Sequence, residues 1–201
     1  MIWRLPQPGE TFVIGADPAE GNPQSDNSAA SVVNLVGEQV AAWAGRVEPA
    51  AFGSQIKAVS EFFNGAQAMV ERNNHGHTVL LWLREFSTVR ALVGLDKKPG
   101  WATTGSSKPM AYDNAAEVFR GAGSVIRDPE TLAELGNITT ALCAPDGLHD
   151  DRATAHVLAL AALRFCSVGP LVSVPAIPPV DIIAEADRGS WSLGPIVPGA
   201  W

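Results

Sequence analysis

Cysteine is scarce in this 201-residue chain: Cys143 and Cys166 are the only two and form no metal-type pair. That excludes a cysteine-based metal module and makes a reducing cytosol the expected compartment. Long apolar runs are missing as well, so no segment is expected to span a bilayer. The opening "MIWRLPQPGE" has neither the basic flank nor the apolar stretch of a signal peptide. Positive charge is outnumbered, with 14 Lys and Arg against 21 Asp and Glu. The resulting net charge of -7 argues mildly against a free-standing nucleic-acid binder. Carboxylates that hold divalent metal would offset that argument, because they add negative charge where nucleic acid is cut and the bound ion reverses the local sign. What is present, 46% hydrophobic and 17% charged residues, suffices for one globular domain with a sizeable core. No internal repeat is visible.

Residues 11–15 read as a first strand. "NSAASVVNLVG" and "EQVAAWAG" read as a hairpin turning around Gly37. Residues 50–64 place Phe52, Ile56, Val59 and Phe63 at helical spacing. "QAMVE" is a short strand ending in Glu71, and "GHTVLLWLREF" a helix opened by glycine. A third helix is expected over about 109–119, and a fourth from Asp128 with Pro129 in its first position. "HDDRATAHVLALAALRF" reads as a long helix, apolar nearly all round and therefore buried. One or two further short strands accompany these helices. The order implies an α/β fold, a mixed sheet with an antiparallel meander and parallel strands, flanked by helices. The domain is expected over 1–168, and the Pro- and Gly-rich residues 169–201 as a C-terminal tail.

Three acidic points share one property: each lies where an element ends or begins. Asp17 follows the first strand, Glu71 closes "AMVE", and Asp150 and Asp151 open the buried helix. Two neighbouring strand ends and a helix N-terminus can meet at one spot. Carboxylates gathered there repel one another and raise each other's pKa, a penalty that divalent cations remove. Hard oxygen ligands suit Mg2+ or Mn2+ rather than zinc. Taken singly, Asp150 reads as an N-cap and Asp17, before Pro18, as a turn residue. Taken together they read as a metal-binding set.

"GADPAEG", "VERNNHG", "GWATTGSSK" and "HDDRATAHVLALA", in this order, resemble the nuclease domain of the large terminase subunit of tailed bacteriophages, over roughly residues 10–165. The resemblance implies a ribonuclease-H-like fold, similar to Holliday-junction resolvases. It implies a nuclease that cuts concatemeric viral DNA during genome packaging, in the cytoplasm of the infected bacterial host. The family's metal-binding acids correspond to Asp17, Glu71 and the pair Asp150 and Asp151, with either of that pair as the principal ligand. Two cations about 4 Å apart, bridged by Asp17, would activate water and stabilise the leaving oxygen. Double-stranded DNA, the packaging ATPase motor, the small terminase subunit and the capsid portal are the implied partners, and no membrane. These residues contain no ATPase motor; "GWATTGSSK" lacks the Gly-Lys-Ser/Thr ending of a phosphate loop. An excised domain or the product of a split or decayed gene is therefore expected.

Lys108, Asn73 and Arg152 are the candidate DNA-binding residues. Lys97, Lys98, Arg120 and Arg127 are further, scattered cations that could touch phosphate without sequence preference. Asn73 and Asn74 could equally shape the turn before Gly76. His75 and His77 lack the further ligands that zinc needs. His149, Asp26 and Glu20 read first as surface or turn residues, and Trp82 and the pair Phe62 and Phe63 as core. Rival readings are a junction resolvase of the same fold, a nuclease-dead docking module of the motor, and an actin-like kinase. The last would need a second Gly-rich phosphate hairpin that the sequence lacks.

Overall fold

The computed structural model describes residues 1–22, 26–121 and 124–166. The expected tail, 169–201, lies outside the described residues. Three strands form the antiparallel meander: β1 (Phe12–Asp17), β2 (Ser28–Asn34) and β3 (Gln39–Gly45). Gly37, with φ +86°, makes the left-handed turn between β2 and β3, and its N–H donates to the Asn34 carbonyl at 3.0 Å. Helix α1 (Pro49–Phe62) then crosses over to β4 (Gln67–Val70), which pairs parallel with β1. The sheet order is β3-β2-β1-β4. This is the mixed sheet, antiparallel meander plus parallel strand, that the element order implies, and its arrangement is the ribonuclease-H-like one that the resemblance implies.

Helices cover both faces, and this explains why β1 reads as a continuous apolar run rather than an alternating one. Phe12, Ile14 and Ala16 point to one core with Phe52 and Ile56 of α1 and with Val79 and Leu83 of α2 (Gly76–Phe86). Val13, Val33 and Met69 point to the other. There they meet Ala111 and Ala115 of α3 (Ser107–Arg120) and Val157, Leu158 and Leu160 of α5 (Asp151–Ala162). Between α3 and α5 in the chain lies α4 (Pro129–Asn137). Gly15 lets α5 lie directly on β1: a Cβ there would fall 2.1 Å from the Ala155 carbonyl oxygen. Beyond β4, isolated bridges join Ala68 to Ala91 and Glu71 to Trp101, standing where further short strands are expected.

Several boundaries differ from the sequence reading. β1 runs on through Asp17, which pairs with Ala29, so the carboxylate ends the strand rather than entering a loop. Pro18, which has no N–H to donate, follows at the strand's end. Helix α3 starts at Ser107, before Pro109, because Thr104 and Ser107 cap it reciprocally. Thr104 N–H donates to Ser107 Oγ at 2.9 Å, and Ser107 N–H to Thr104 Oγ1 at 3.1 Å. Helix α5 is shorter than residues 149–165, ending at Ala162 before a turn. Phe63 is core, whereas Phe62 is 46% exposed and Trp82 only half-buried. Among the described residues, no helix is long and apolar enough to cross a membrane.

Candidate active site

Side chains alternate along a strand, so Asp17 faces the same side as Val13 and Gly15, under α5. Glu71 comes two residues after Met69 and faces that side too. The register places Ala16 against Val70, and Glu71 N–H donates to the Ala16 carbonyl at 2.8 Å. Asp17 and Glu71 are therefore neighbours at the C-terminal ends of two adjacent parallel strands, the end at which open α/β sheets gather ligands. The Glu71 carboxyl is close enough to Asp17 to raise its pKa. Gly76 allows α2 to begin directly against this corner, since a Cβ there would lie 1.7 Å from the Glu71 carbonyl oxygen.

The third contributor is the start of α5. Asp17, Glu71, Asp150 and Asp151 line one cleft of about 440 Å³, together with Glu20, Asp26, Asn74, His75, Thr154 and Lys108. Six carboxylates thus share the cleft with one lysine. Burial pushes the Asp17 carboxyl well above the usual carboxylate range, and Glu71 and the charges of Asp151 and Asp150 push it further. Asp151 is itself buried and raised, first by desolvation and then by Asp26 and Asp150. The Asn27 N–H, donating at 3.0 Å, and His149 oppose that rise. Asp150 accepts the Ala144 N–H at 3.3 Å. Beside it, burial and the Asp150 charge push the Tyr112 phenol up to about 12.

Hard oxygen donors, crowded so that the Asp17 and Asp151 carboxyls are both pushed up, form a donor set suited to divalent cations of the Mg2+ type. Among the described residues, Asp26, His149 and Asp151 also bring one ligand atom each within 4.8 Å of one another. His149 Nδ1 lies 3.2 Å from Asp26 and 3.9 Å from Asp151. Both His149 and Asp26 are exposed, as the sequence suggests, yet they stand at the edge of the acidic cleft.

The secondary candidates separate. Lys108, in the first turn of α3, lines the cleft. Asn73 is not among the lining residues: its amide pins the loop after Trp101, donating to the Thr103 carbonyl at 2.8 Å and accepting the Thr103 N–H at 3.0 Å. Its neighbours Asn74 and His75 take the lining positions. Arg152 turns to α4, pairing with Asp128 at 2.9 Å and Glu130 at 2.5 Å. Arg127 pairs with Glu38 at 2.5 Å. Glu134 escapes the sequence reading altogether. It reaches from α4 to accept the Arg152 and Ala153 N–H groups of α5, a contact between distant segments that leaves no local signature.

No family model matches the chain, and no curated protein matches it. Solved structures do. The large terminase nuclease from thermophilic phage G20c with bound magnesium superposes with a TM-score of 0.64 at 22% identity, over 80% of this chain and 85% of that one. The large terminase nuclease domain of Thermus phage P74-26 gives 0.63 at 21% identity, over 81% and 84%. The fold is that of the phage large terminase nucleases. The G20c nuclease with bound zinc gives 0.61 at 21% identity, over 80% of this chain and 85% of that one.

Proposed function

We propose that this chain is a metal-dependent DNA endonuclease of the large-terminase kind, cutting concatemeric viral DNA by phosphodiester hydrolysis during genome packaging. The observation that carries the reading is the meeting of Asp17 and Glu71, from adjacent parallel strands, with Asp150 and Asp151 in one cleft. The likeness to terminase nucleases, one of them with magnesium bound, supports it.

Asp17 and Glu71, with Asp150 and Asp151, would hold two Mg2+ or Mn2+ ions. When bound, the cations supply Lewis acidity, which makes water a nucleophile near neutral pH and neutralises charge at the leaving oxygen. The protein contributes position. The β1–β4 ladder fixes Asp17 and Glu71, the first turn of α5 fixes the aspartate pair, and Lys108 presents an ammonium to a phosphate at the cleft edge. A cation in the cleft would relieve the carboxylate repulsion that raises the Asp17 pKa. Thin positive charge implies weak, sequence-independent grip on duplex DNA. A packaging motor would hold the DNA and raise its local concentration. Small subunit, portal and the host cytoplasm follow from the same reading.

The test is plasmid and linear-duplex cleavage with Mg2+ or Mn2+, with and without chelator, beside a four-way junction. Chelator-sensitive cutting of duplexes of unrelated sequence is expected. Cutting confined to junctions would assign a resolvase, and metal-independent cutting would overturn the reading.

A further inference from the structure

Asp150 occupies the N-cap position of α5, yet makes no side-chain capping hydrogen bond. An aspartate there ordinarily accepts from the second or third N–H of its helix. Here those two donors, Arg152 and Ala153, both point to Glu134 Oε2, at 2.8 and 3.0 Å. Glu134 is thus the cap of α5, supplied by another helix, and it occupies the place that the Asp150 carboxylate would otherwise take.

The helix that carries Glu134 is itself tied down by polar contacts. Only Thr131 of α4 is fully buried. Gln39, buried on β3, accepts the Arg127 and Asp128 N–H groups at 2.9 and 2.8 Å. The Arg152 guanidinium, from the first turn of α5, grips Asp128 and Glu130. Sheet, α4 and the start of α5 therefore form one hydrogen-bonded unit.

We propose that Glu134 is a positioning residue for the metal-binding acids: by capping α5 in place of Asp150, it holds the Asp150 and Asp151 carboxylates out in the cleft. This rests on the metal-dependent reading of the site. In Glu134→Ala the two N–H groups become free, Asp150 turns back to cap them, and the helix survives while the cleft loses a ligand. Glu134→Gln keeps an amide oxygen that can accept both N–H groups.

The experiment is calorimetric titration of the full chain with Mn2+, alongside circular dichroism, duplex cleavage across Mn2+ concentrations and the DNA dependence at saturating metal. Glu134→Ala should keep the wild-type spectrum and weaken Mn2+ binding by about 10- to 100-fold, the usual cost of losing an outer partner of a metal site. Half-saturating Mn2+ for cleavage should rise in parallel, with the DNA dependence unchanged. Glu134→Gln should stay near wild type. Mn2+ binding by Glu134→Ala as tight as wild type, or an equal loss in Glu134→Gln, would overturn the inference. If Glu134→Ala does not fold, Glu134→Asp, one methylene shorter, takes its place: it must weaken Mn2+ binding while Gln does not. A wild type that binds no Mn2+ and cuts no DNA would bring down the nuclease reading and this inference together. A wild type that does both, with an indifferent Glu134→Ala, would overturn this inference alone.

Discussion

Gly15 and Ala155 are in backbone contact: the space a Cβ would need on β1 is filled by the Ala155 carbonyl of α5, 2.1 Å away. Two residues further along each element in the direction of the cleft stand Asp17 on one side and the first turn of α5 on the other. The closeness of strand and helix thus sets the width of the acidic site. Gly15→Ala cannot be relieved by a side-chain rotation, since the obstacle is backbone. It should destabilise the protein by more than about 3 kcal/mol, a drop in Tm of roughly 10 °C for a domain of this size. Thermal melting followed by circular dichroism checks this, and a Tm within about 2 °C of wild type would contradict the packing.

The crowding of the acids predicts a pH dependence in the metal-free protein. Asp17 has a folded-state pKa well above its ordinary value of 3.8. Between the two values the native state holds a proton that the unfolded state has released. Stability from this group is therefore full below the ordinary value and is lost as pH rises through the raised one. In chelator, Tm should fall as pH rises through that window. Asp17→Asn should flatten the fall and melt a few degrees higher near pH 8. A steeper fall in the variant than in the wild type would contradict the assignment of strain to Asp17. Added Mn2+ should reverse the pattern, stabilising the wild type by about 2.7 kcal/mol at a hundredfold excess over Kd and the variant far less.

Two cations that look alike in sequence should behave differently. Lys108→Ala should weaken duplex binding at low salt and reduce the salt slope of log K by about 0.9, the signature of one lost phosphate contact. Arg152→Ala should leave that slope unchanged and instead lower Tm, because it leaves the buried Asp128 carboxylate with the Thr131 hydroxyl but no positive partner, at about 1–3 kcal/mol. Salt-series binding and melting of both variants separate the roles. A lost salt slope in Arg152→Ala would return that residue to the DNA interface.

Much of the frame is legible in the chain. "GHTVLLWLREF" is α2 residue for residue, and the alternation of turn and apolar stretches marks all four strands. The acids at strand ends are legible too, because a carboxylate directly after an apolar strand is costly without a partner. The remainder depends on contacts between distant segments. That Asp17 belongs to the strand follows from its pairing with Ala29, and that Asp150 does not cap α5 follows from Glu134. Helix α5 reads as apolar nearly all round, but it carries His156, fully buried with Nδ1 2.9 Å from Ser31 Oγ. Burial lowers that imidazole to about 4, so it is neutral at ordinary pH and packs as a core residue. Nothing in the local spacing separates Arg152, turned to α4, from Lys108, turned to the cleft.

The most direct measurement is cleavage of linear duplex by wild type and Asp17→Ala at saturating Mn2+, with the fold of each followed by circular dichroism. If the four acids form a metal-dependent nuclease site, the wild type cuts and chelator stops it. Asp17→Ala, folded and relieved of carboxylate repulsion, then loses at least about a hundredfold in rate. A folded Asp17→Ala that cuts as fast as the wild type would contradict the account.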